Sequence, residues 1–158
     1  MARKHALSLA ATTVLAFALA VGLFGTCSSA IHAAAANKPT VLHVVEHDAS
    51  VLVDISPAGD SVGDMYVFNS PLYDMNDQVQ VGHDNGSCIR TLVGQAYECN
   101  WTNFFKDGQI TVEGPEYDQL DSVLAVVGGT GRYANARGQM ILHYRGNLQY
   151  DFIFSLNM

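Results

Sequence analysis

The segment Val41-Leu42-His43-Val44-Val45-Glu46-His47-Asp48 places proton-carrying side chains at a telling spacing. Read as a strand, its two-residue period puts Leu42, Val44, Glu46 and Asp48 on one face, and His43 and His47 on the other. Two carboxyls at i and i+2 repel when both are ionised. In a dry site that repulsion raises a pKa and produces an acid–base or charge-steering group. On a solvated strand edge the same pair does nothing of the kind, and this segment alone does not decide between the two.

Other chemistries are poorly served. His43, His47, His83 and His143 are present, with Asp84 beside one of them. On a strand His43 and His47 lie roughly 13 Å apart, too far to share one ion without a bend. No tight ligand cluster such as H-x-E-x-H occurs, so no metal is expected. There is no G-x-S-x-G nucleophile turn. The stretch Val126 to Gln139 carries Gly128, Gly129, Gly131 and Gly138. Its spacing is neither G-x-G-x-x-G nor the P-loop pattern, it has no lysine, and no helical period follows. It reads as a shaped corner between two strands, where glycine tolerates positive φ and close backbone approach. No cofactor is expected.

These side chains must be held by strands, because period-two alternation dominates and no amphipathic helix is visible. Candidate strands are 41–47, 65–72, 79–82, 87–92, 97–104, 109–113, 122–127, 139–144 and 148–156. Turn signals at Pro57-Ala58-Gly59-Asp60, Asp84-Asn85-Gly86, Lys106-Asp107-Gly108, Gly114-Pro115 and Gly146-Asn147 separate them. Such spacing predicts a sandwich or barrel. In the last strand Leu148, Tyr150, Phe152, Phe154 and Leu156 form one apolar row, which makes Tyr150 and Phe152 candidate ligand contacts. A barrel of about eight strands is either filled by its side chains or left with room for one small ligand. Both readings stand at this point.

The first 36 residues read as a signal peptide: Arg3, Lys4 and His5, then an apolar run to about Phe24, then small residues up to Ala36. A signal anchor is the competing reading. Cys27 lacks a convincing lipobox. Residues 37–158 then form one domain, predicted to be secreted. All acidic residues and six of the eight basic ones lie in it, so it is more acidic than the whole chain's formal −7. That charge disfavours nucleic acid and anionic membrane as partners. Cys88 and Cys99 remain in this domain. With Val93-Gly94 as the turn, they fall opposite one another and would form a disulfide, contributing about 3 kcal/mol in the chain-entropy model.

An ordered set of motifs resembles the allene oxide cyclase and dirigent family: Gly63-Asp64 with Phe68 and Leu72-Tyr73-Asp74, then Val81-Gly82 with Gly86-Ser87-Cys88. Gly114-Pro115 ending a strand, and Leu124-Ala125-Val126 through Gly138-Gln139, complete it. The resemblance runs from about Val41 to the C-terminus. It implies an all-β fold, a single closed antiparallel calycin-type barrel of about eight strands. It also implies a small hydrophobic or aromatic ligand, and a homo-oligomer, in plants a trimer.

Glu46 matches the family's cavity glutamate, which assists epoxide opening, while Asp48 replaces an asparagine. Ser56-Pro57 resembles a water-holding Ser-Pro. Ser70 falls at a position where the cyclases have asparagine, with Asn69 one residue away, and Cys88 matches a cavity cysteine. Dirigent proteins place an arginine in the cavity, and Arg137 is the candidate. The departures at Asp48, Ser70 and Cys88 argue against jasmonate-type cyclase activity as such. An isomerase or cyclase, a non-catalytic ligand-orienting protein and a filled structural barrel remain as functional readings.

Overall fold

A computed structural model describes residues 38–158 apart from residue 56. The expected signal peptide, Cys27 and Ser56 lie outside the described residues. The strands are β1 (Thr40–His47), β2 (Val51–Val53), β3 (Met65–Phe68), β4 (Pro71–Asp74) and β5 (Gln80–Leu92). They continue with β6 (Ala96–Phe105), β7 (Gly108–Tyr117), β8 (Ser122–Gly131), β9 (Arg137–Gly146) and β10 (Gln149–Asn157). All pairings are antiparallel. The order β4-β1-β10-β9-β8-β7-β6 closes because β5 pairs with β6 on one side and β4 on the other. Eight strands make the barrel, and β3 with β2 extends the wall beside β5. Among the described residues there is no helix.

Three expected turns are strand instead. Asp84-Asn85-Gly86 lies inside β5, paired with Asn103, Thr102 and Trp101 of β6. A Cβ on Gly86 would stand 2.2 Å from the Trp101 Cβ, so glycine is there to let the indole lie against the backbone. Gly114-Pro115 lies inside β7, beyond the point at Glu113 where β8 stops pairing, so the missing proline N–H breaks no ladder bond. Gly128 and Gly129 continue β8, and the corner comes at Arg132–Ala136. Gly131 enters it with φ 58°, and Tyr133 and Ala134 N–H groups donate to Thr130 and Gly131 carbonyls. The expected strand 65–72 is two strands, broken at Asn69-Ser70, and β2 was not anticipated.

Both readings of the interior hold, each for one half. At one end Phe154, Leu156, Ile110, Val126 and Met140 are buried against one another, with Tyr133 and Phe105 at 5.8 Å across the corner. At the other end residues of β1, β3, β5, β6, β7, β9 and β10 line an open-mouthed cavity of about 900 Å³. Its walls include Tyr66, Phe68, Tyr97, Trp101, Tyr150 and Phe152.

Candidate functional site

The inward face of β1 carries Glu46 into this cavity, and Asp48, just past the strand's end, lines it too, while His43 and His47 point outward to Asp151 (2.7 Å) and Asp77 (2.6 Å). Glu46 is 6% exposed. Burial raises its pKa well above the ordinary carboxylate range, and the charges of Asp84 and Asp48 add to this while the Ser70 hydroxyl opposes it. Asp84, from the inward face of β5, is fully buried behind it. Burial raises its pKa also, against a hydrogen bond donated by the Ser70 N–H at 2.9 Å. Asp84 in turn donates its backbone N–H to the Ser70 carbonyl, so the step between β3 and β4 is what positions the pair. Near the mouth the Asp48 carboxyl accepts hydrogen bonds from the Ser50 N–H (2.8 Å) and hydroxyl (3.0 Å).

The opposite wall holds a third carboxyl. Glu116 of β7 lies with Oε2 3.5 Å from both sulfurs of the Cys88–Cys99 disulfide. Burial, then the charges of Asp48 and Asp118, raise its pKa to about 7, with Arg90 partly offsetting them. The disulfide joins directly opposed residues of β5 and β6, whose Cα atoms are 4.0 Å apart, in the expected register. Among the described residues, Cys88, Cys99 and Glu116 are also the one group of three side chains placed to share a metal ion. The disulfide occupies both thiols.

Arg90 is the cavity arginine. It forms ion pairs with Asp60 (2.7 Å) and Asp118 (2.7 Å), donates to the Tyr97 hydroxyl at 2.6 Å, and lies 3.6 Å from the centre of that ring. Arg137, the candidate from resemblance, is exposed and donates to the Ala136 carbonyl. Gly63-Asp64 serves the same wall. The Asp64 carboxylate accepts the N–H groups of Ile55 (3.0 Å) and Ser61 (2.8 Å), and its backbone carbonyl accepts that of Arg90.

The aromatic side chains pack edge and face around the space. Trp101 lies 5.5 Å from Phe152 and 5.9 Å from Phe68, Tyr66 5.1 Å from Tyr97, and Tyr150 5.0 Å from Tyr144. The Tyr150 hydroxyl is held protonated by burial and by the charges of Glu116, Asp48 and Glu46.

Of the residues singled out in the sequence, Glu46, Asp48, Cys88, Tyr150 and Phe152 line the cavity and Ser70 braces it from behind. Asn69 is exposed and stands apart from the lining, because the inward position at this step belongs to Ser70. Asp84, Arg90, Tyr97, Trp101 and Glu116 were missed. The alternation Tyr97, Cys99, Trp101 on one face of β6 was the signal that could have found two of them.

A family model described as Dirigent-like protein matches residues 30–158. A solved structure of a pyocyanin demethylase is similar, at 28% identity and TM-score 0.64, over 73% of this chain and all (100%) of that one. A pterocarpan synthase dirigent protein matches at 20% identity and TM-score 0.60, over 77% of this chain and 98% of the other. The Diels-Alderase AbmU from Streptomyces koyangensis matches at 19% identity and TM-score 0.62, over 75% of this chain and 63% of the other. These last two share the fold with this chain.

Proposed function

The chain belongs to the Dirigent-like protein family, and on that footing we propose that it binds a small hydrophobic or aromatic molecule and isomerises or cyclises it by proton transfer at Glu46, without a cofactor. The observation that carries this reading is a proton-holding carboxyl, Glu46, at the aromatic-walled end of a half-hollow barrel. Asp84 accepts the Ser70 N–H and so takes the negative charge of the pair, which leaves the proton on Glu46. Glu46 gives that proton to an oxygen or nitrogen of the bound molecule. As the carboxylate, it then takes one back from a neighbouring carbon. Asp48, nearer the mouth, steers the positive charge that develops in between. Ser70 braces the acid pair, and Tyr150 and Phe152 hold the ring system. The cavity contributes orientation, which by itself lowers barriers substantially.

Two features support a location outside the cytosol after loss of residues 1–36. The basic start and apolar run have the form of an export signal, and the Cys88–Cys99 disulfide suits an oxidising compartment. A homo-oligomer, a trimer by resemblance, is part of the same reading. That one relative is named a pyocyanin demethylase favours an enzyme. The family match itself favours a second reading, a dirigent-like protein that orients a ligand without transforming it.

Glu46→Gln separates the two. For the enzyme, turnover of whichever small aromatic is bound falls about a hundredfold or more while affinity persists. Unchanged product formation in that variant would leave the orienting role alone standing.

A further inference from the structure

The apolar row of β10 does not stop inside the barrel. Phe154 and Phe152 are buried and Tyr150 is partly so, while Leu148, the next member of the row, is 60% exposed at the mouth and still lines the cavity. Leu148 holds that place against its backbone preference. Gly146 and Gln149 pair, and Asn147 and Leu148 between them have φ of 55° and 58°, as in the two-residue hairpin turn with positive φ at both central positions. Asparagine suits the first position. The second is ordinarily glycine, and a leucine there is strained because its Cβ crowds the following carbonyl. Burial does not offset the strain of a side chain this exposed. The turn is pinned all the same, since the Asp48 N–H donates to the Leu148 carbonyl at 2.8 Å.

The β7–β8 connection brings a second such side chain. Leu120 is 75% exposed and also lines the cavity. Leucines scattered singly over a surface need no explanation. Two that line one cavity, one of them in a strained turn, do. Tyr144, 5.0 Å from Tyr150, continues the aromatic wall from the interior toward this rim. Resting on the reading above that the cavity takes a small hydrophobic or aromatic molecule, we propose that Leu148 and Leu120 are specificity-determining contacts: they cover an uncharged apolar extension that the bound molecule carries out to the mouth, while its ring system lies against Tyr150 and Phe152. The ligand class is then an aromatic body with an apolar tail rather than a compact ring. The strained turn serves that contact and not the fold.

Two neutral fluorescent probes test this: prodan and its hexanoyl homologue, which share one naphthalene ring and differ only in the length of an alkyl tail. Each is titrated into the intact, disulfide-bonded protein and followed by the blue shift of its emission. The homologue should bind about tenfold tighter, because its additional methylenes are covered at the rim. Leu148→Gly should cut that preference about fivefold, leave prodan affinity unchanged and raise the urea midpoint, because glycine adopts positive φ without strain. Leu120→Ala, which leaves the turn intact, should also cut the preference several-fold. A preference that survives in both variants overturns the proposal. So does a lowered midpoint in Leu148→Gly, which would make Leu148 a residue of the fold. An oligomer that dissociates in Leu148→Gly, seen by sedimentation velocity, overturns it in favour of another copy of the chain as what covers Leu148. Equal affinity for the two probes overturns the tail preference and leaves the aromatic-ligand reading standing. Absence of saturable binding by either probe overturns both.

Discussion

Two sets of acidic side chains gather around one cavity and are handled in opposite ways. Asp60 and Asp118 close on the guanidinium of Arg90, which also meets the hydroxyl and face of Tyr97, so each charge there has its complement. Glu46 and Asp84 face one another without a cation, and Glu116 stands against a disulfide. The first arrangement ties β5, β6 and the β7–β8 connection together. The second keeps protons where an ordinary carboxyl would have lost them. A compensated charge serves the architecture of a wall, while an uncompensated one keeps free energy in a form that a ligand can release.

Breaking the compensated set should cost most. Arg90→Met leaves Asp118 and the Tyr97 hydroxyl partly buried without their donor. Urea unfolding should show a loss of about 4 kcal/mol. Asp118→Asn, which keeps the shape and removes one charge, should lose less than half of that.

The uncompensated set should show itself in pH dependence. Glu116 binds its proton more tightly in the folded chain, with its pKa raised from 4.5 to about 7. Its contribution to stability is therefore full below about pH 4.5 and lost as the pH rises through about 7. Unfolding free energy should fall by up to about 3 kcal/mol over that window. Glu116→Gln should flatten the curve; an equally steep curve would mean that the burial of Glu116 is not what sets the slope.

The smallest effect carries the opposite sign. Glu46→Gln removes a titrating group from a repulsive pair and keeps its shape. At neutral pH the folded protein should be unchanged or about 1 kcal/mol more stable, read from the denaturation midpoint. A loss comparable to that of Arg90→Met would erase the distinction between the two sets.

What could be read in advance follows the range of the interactions involved. Alternation grouped Glu46 with Asp48 on one face of the first strand and Tyr150 with Phe152 on one face of the last, because side-chain facing is a property of the strand itself, but which face turns inward was not legible. The Cys88–Cys99 pairing was legible because a turn at Val93-Gly94 fixes a hairpin register over an 11-residue separation. Asp84 was not: beside Asn85-Gly86 it carries strong local turn chemistry, and only the ladder to Asn103 and the indole over Gly86 overrule it. Arg90 looked like any surface arginine until β7 and the Asp60 loop were brought to it. Glu116, beyond Gly114-Pro115, was hidden by a proline that a strand tolerates only where its neighbour has left. Each missed residue acquires its meaning from a partner distant in the chain or on a neighbouring strand.

The pairing of β1 with β10 sets a condition on how the molecule is made. His43 and Asp151 meet across 108 positions, and the carboxyl-bearing strand finds its second neighbour only when the last strand has been produced. Local hairpins such as β5–β6 can form early, but ring closure waits for the far end of the polypeptide, the slowest kind of contact to find. Without that closure the acid pair has no dry surroundings, so the proton-holding state of Glu46 depends on the β1–β10 pairing.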